Sequence, residues 1–142
     1  MAQRPREEFF LSVITASELL HGVHRAVQPA VRAKRAAFVD AILDDFSLLP
    51  VELSTARAHA RLWAELATAG MIIGPHDMWL AATCIAHGLS IVTANVREFA
   101  RSRVWKSRCG APRIDPVTGV DLCRSDCPRT GVPPTQAHRG AV

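Results

Sequence analysis

The chain has 142 residues, 49% of them hydrophobic, a length and composition suited to one globular domain with a single core. It has no 18-residue apolar run, and Met1–Glu8 is charged without an apolar signal region. Neither a membrane span nor a secretory leader is therefore expected, and the cytoplasm is the expected compartment. The net charge of +4 is not evidence for a nucleic-acid face: residues 1–100 hold nine Lys/Arg against ten Asp/Glu, while residues 101–142 hold eight against three, so the basic excess belongs to the tail.

Taken in chain order, Phe9–Ile14 is a short apolar run of strand character, followed by a helix over about Ala16–Ala26 with Leu19, Leu20 and Val23 on one face. Pro29 can open a second helix, about Ala30–Phe46, with Val31, Ala37, Phe38, Ala41, Ile42 and Leu43 as its apolar stripe. Leu48–Val51 is a short extended segment. Ser54 is expected to cap a third helix that ends at Gly70 and turns Ala58, Leu62, Trp63 and Leu66 inward. Gly74 and Pro75 start a fourth helix that runs to His87 and stops at Gly88. Ser90–Ala94 reads as a buried strand and Asn95–Arg101 as a short helical turn. Strands alternating with helices predict an α/β protein with a parallel sheet.

The pattern stops after Arg101. Residues 102–142 hold five of the nine prolines and four of the eight glycines, without periodicity, and are expected to be disordered or poorly packed. Three of the four cysteines, Cys109, Cys123 and Cys127, lie there with His138, but their spacing matches no common zinc pattern.

Hydrolysis of a phosphodiester with a divalent cation needs several oxygen ligands on one point. In an open α/β sheet these gather beyond the carboxyl ends of the strands. Glu18 and Asn95 follow predicted strands, Asp77 opens a helix, and Glu98 lies near Asn95. Each has a plain structural alternative: Thr15-Ala-Ser-Glu18 is a capping-box pattern, Asp77 suits a helix dipole, and Asn95 can be a cap.

The segments Thr15–Gly22 (TASELLHG) and Met71–Phe99 (MIIGPHDMWLAATCIAHGLSIVTANVREF) resemble the PIN-domain nucleases, specifically VapC-type toxins, and the likeness covers about residues 7–100. It implies a three-layer α/β/α fold and a cytoplasmic, Mg²⁺- or Mn²⁺-dependent endoribonuclease. It also implies a homodimer in an intact form, held inactive by a cognate antitoxin. Glu18, Asp77 and Asn95 match the family's catalytic and metal-ligating positions, and Glu98 the auxiliary acid often beside them. His21, His24 and His76 are read as surface or packing residues, and Trp63 and Trp79 as core or dimer contacts.

The family's opening strand, ending in L-D-T-S/N, has no counterpart before Phe9, so the first metal carboxylate is expected to be missing and its neighbouring strands unpaired. At the other end, Ser102–Gly110 (SRVWKSRCG) stands where a P-G-L-x-V strand is typical; a shifted reading frame can restore that strand. The expectation is a partial PIN-like domain over residues 1–101, lacking its first and last strands, with an off-frame tail over 102–142. Glu18 and Asp77 then offer a cation a charge of −2, or −3 with Glu98, so weak metal affinity and little turnover are expected. The alternatives are a non-catalytic remnant that binds an antitoxin or a paralogue, and an unstable product without function.

Overall fold

The computed structural model describes residues 8–95, 97, 99 and 122–124. The chain opens with β1 (Phe9–Ser12), which passes without a loop into α1 (Val13–His24). Ser12 ends the strand and caps the helix at once: its backbone is extended and its hydroxyl accepts from the Ile14 amide at 3.2 Å. The helix thus begins earlier than the capping-box pattern suggests. Thr15 is buried inside the first turn, its hydroxyl with no hydrogen-bond partner among the described residues, and Glu18 is carried into the second turn. Residues 25–28 then lead to α2 (Pro29–Asp45), with Pro29 at the first-turn position where its missing N–H costs nothing.

β2 (Ser47–Leu49) precedes α3 (Leu53–Thr68). Glu52, not Ser54, caps α3, in a reciprocal box with Thr55 whose hydroxyl accepts from the Glu52 amide at 3.3 Å. α4 (Pro75–His87) ends on Gly88 at φ 65°, a left-handed conformation that glycine adopts without strain. β3 (Ser90–Val92) follows it, Arg97 and Phe99 are helical, and β4 is Leu122–Arg124.

The sheet order is β2-β1-β4-β3. β1 and β2 are parallel, whereas β4 runs antiparallel to both β1 and β3, so the sheet is mixed rather than wholly parallel as expected. The missing opening strand was expected to leave its neighbours unpaired, but β4 from the tail lies between β1 and β3: Cys123 pairs with Phe10 on one side and Ile91 on the other. Residues of the tail other than 122–124 lie outside the described residues, as does most of the turn expected over Asn95–Arg101.

Successive strand residues face opposite sides of a sheet, and the core divides accordingly. Ile91 and Cys123 pack with Leu62, Leu66, Leu80, Cys84 and Phe99, beneath α3 and α4. Leu11 and Val92 pack with Ala16 and Ile42, beneath α1 and α2. The sheet therefore lies between two helical layers. Burying the apolar side chains of each layer supplies the main stabilisation, about 25 cal/mol for each Å² of apolar surface removed from water.

Several expected core faces are narrower than their patterns. In α2 only Val39 and Ile42 are buried, while Val31 and Phe38 are exposed, because this outer helix meets the rest along one thin seam. Leu20 is exposed, and Trp63 is 61% exposed rather than turned inward. Trp79, by contrast, is half-buried, its ring stacked on His59 at 3.9 Å and 19°.

Candidate active site

β1 and β3 are both antiparallel to β4, so they point the same way and their carboxyl ends share one edge of the sheet. Glu18 rises from that edge on α1, and Asn95 lies three residues past the end of β3. α4 brings Asp77 there in its first turn, where the helix dipole favours an anion.

The side chains meet in two hydrogen-bonded pairs. Asn95 Nδ2 donates to Asp77 Oδ2 at 3.0 Å, across 18 residues. His76 Nδ1 lies 2.7 Å from Glu18 Oε1, across 58 residues; a carboxylate only accepts, so the imidazole carries the proton on Nδ1. Because His76 and Asp77 are consecutive, Glu18, His76, Asp77 and Asn95 form one continuous run linking α1, α4 and the turn after β3. A cap role for Glu18 is not what the fold uses. Asp77 is half-buried, while Glu18, His76 and Asn95 are exposed. Thr93 steadies the turn, its buried hydroxyl accepting from the Asn95 amide at 2.9 Å.

Glu18, Asp77 and Asn95, expected at one site, are therefore brought to one edge of the fold; Glu98 lies outside the described residues. His76 lies at the surface, as expected, and there it also pairs with Glu18. The signal that could have found it is its position: the residue before a first-turn Asp faces the same helix end. In kind, the carboxylate and amide oxygens of Glu18, Asp77 and Asn95 suit a hard divalent cation. No group of three His, Cys, Asp or Glu side chains among the described residues is placed to hold a metal, so a cation there would depend on the neutral Asn95 oxygen as well.

Beside this run, a cleft of about 470 Å³ is lined by Ser17, Glu18, His21, Gly22, Arg25 and His76. No described helix is long and apolar enough to cross a membrane.

Residues 1–103 match the PIN domain, and the chain belongs to that family. The ribonuclease VapC1 of Rickettsia felis is 38% identical over 92 residues, which cover 65% of this chain and 69% of that protein. A tRNA(fMet)-specific endonuclease VapC of Salmonella typhimurium is 32% identical over 91 residues, covering 64% and 67%. The crystal structure of DNA-bound VapBC from Salmonella typhimurium superposes with a TM-score of 0.61 at 30% identity, over 73% of this chain and 71% of that one. Within the family the chain falls among the VapC ribonuclease toxins of VapBC toxin–antitoxin systems.

Proposed function

We propose that this chain is a divalent-metal-dependent endoribonuclease that hydrolyses RNA phosphodiesters, with weak affinity for its cation and a cognate antitoxin as its partner. The observation that carries this reading is the run Glu18–His76–Asp77–Asn95, which gathers the oxygen donors at the shared carboxyl ends of β1 and β3. Asp77 and Glu18 would hold Mg²⁺ or Mn²⁺, with Asn95 as a neutral oxygen ligand and Glu98 as auxiliary acid. A bound cation supplies neutralisation of phosphate charge and activation of water. The protein's own part is positioning: Asn95 fixes the Asp77 carboxylate, and His76 fixes Glu18 across the α1–α4 contact. Relatives named as tRNA(fMet)-specific endonucleases make a structured RNA with exposed single-stranded bases the substrate class to test first.

A second reading has an observation of its own. With no three-ligand group among the described residues, a non-catalytic module that binds an antitoxin or a paralogue is the competitor. Incubating the purified chain with tRNA and Mn²⁺, beside an Asp77→Ala variant, separates the two. Cleavage lost in the variant supports the ribonuclease. Antitoxin binding that survives the substitution, with no cleavage by either protein, replaces it by the binding module.

A further inference from the structure

We propose that Arg25 and the bare surface over Gly22 form a docking subsite for the RNA backbone, leading away from the Glu18–Asp77 edge. This deepens the ribonuclease reading and rests on it. Glu18, His21, Gly22 and Arg25 stand at i, i+3, i+4 and i+7 on α1, and such residues share one helix face. They form one wall of the 470 Å³ cleft, with His76 closing it beside Glu18. Gly22 leaves this wall open: a Cβ there would meet no atom within 4 Å. The cleft therefore runs from the carboxylate that would hold the cation to an arginine seven residues along, on the order of 10 Å of helix.

Arg25 has a plain alternative role, since it caps α1 and a cation there complements the helix dipole. Two other arginines already fill that role. Arg32 donates through Nε and Nη2 to the Ala26 carbonyl at 3.1 and 2.9 Å, and Arg35 donates through Nη1 to the Gly22 carbonyl at 3.0 Å. With the end of α1 so served, Arg25 is exposed and its guanidinium makes no hydrogen bond or ion pair with a described residue. A guanidinium open to solvent, on the wall of a cleft beside the candidate site, suits a phosphate: it stays charged and offers a planar set of donors. Contacts of this kind position a strand without reading its sequence.

The test is fluorescence anisotropy of a labelled single-stranded RNA oligonucleotide in EDTA, so that binding is read without cleavage. Arg25→Gln should weaken binding several-fold on oligonucleotides of unrelated sequence and reduce the slope of log K against log salt by about 0.7. Gly22→Phe, which fills the cleft from an open helix position, should weaken binding while retaining all arginines. Lys34→Gln on exposed α2 removes the same charge away from the cleft and should leave affinity within twofold. Losses by Arg25→Gln no larger than by Lys34→Gln overturn the subsite, as does wild-type protein that binds no RNA. Bound RNA that is never cut in Mn²⁺ counts against the ribonuclease reading alone, so the two failures are distinguishable.

Discussion

Asn95→Asp tests whether carboxylate number limits this site. The Asn95 amide now donates to Asp77 at 3.0 Å. The substitution replaces an attractive contact by two like charges at that distance, a repulsion of roughly 1.4 kcal/mol in water and about 5.5 kcal/mol at an effective dielectric of 20. Asp77 is half-buried and Asn95 exposed, so the water-like end applies, and a net loss of about 1.5 to 3 kcal/mol is expected in the metal-free protein. For a domain of this size that lowers Tm by roughly 5 to 10 °C. A divalent cation reverses the sign of the substitution, because the extra carboxylate becomes a ligand and the charge offered by Glu18 and Asp77 grows by one. Cation at about 100 times its Kd stabilises by roughly 2.7 kcal/mol, enough to offset most of the loss. The assay is thermal unfolding with EDTA and with increasing Mn²⁺, comparing the metal-induced rise in Tm between the variant and wild type. A variant that melts with wild type in EDTA refutes the Asp77–Asn95 contact. Equal Mn²⁺-induced rises in both proteins refute the argument that carboxylate number sets affinity.

Three further outcomes follow from packing and ionisation. Cys123→Asp places a carboxylate at a fully buried position between β1 and β3 and should cost on the order of 3 to 5 kcal/mol, whereas Leu48→Asp on exposed β2 should cost about 1 kcal/mol or less; equal effects in urea unfolding would remove β4 from the sheet. Thr15→Val removes a buried hydroxyl without a partner among the described residues and should stabilise by about 1 kcal/mol, so a lowered denaturation midpoint would show that the hydroxyl is satisfied in solution. Burial holds His59 below its ordinary pKa of 6.5, so on acidification the unfolded chain takes up the proton before the folded one does. The stability associated with neutral His59 is present above about pH 6.5 and is lost as pH falls through the folded value; His59→Gln should flatten the part of the Tm profile below about pH 6.5, and an unchanged profile would assign the loss to other groups.

The sequence and the fold agree best where the determinants are local. Pro29, Pro75 and Gly88 mark helix ends by backbone chemistry alone, and the alternation of helices and strands foretold two helical layers about a sheet. Glu18, Asp77 and Asn95 were legible because each follows a strand or opens a helix, and parallel β1 and β3 bring such positions to one edge. The surface position of His76 was legible but its pairing with Glu18 was not, because that partner is 58 residues away and nothing around His76 in the sequence specifies an acceptor. The inward faces of α2 and α3 were over-read for a related reason: the apolar pattern of a helix does not say how much of its circumference a neighbour covers, and Trp63 and Phe38 lie beyond the covered arc.

β4 is the extreme case. Leu122-Cys123-Arg124 is three residues long, bounded by Asp121 and Ser125, too short and too polar at its borders for local propensity to specify a strand. What selects it is the slot between Phe10 and Ile91, whose backbone groups need partners on both sides, and the buried Cys84 sulphur, 2.7 Å from that of Cys123. Cys84 belongs to α4, whose first turn carries His76 and Asp77. The packing of β4 beneath α4 therefore bears on the placement of the candidate site, although no residue of β4 belongs to it.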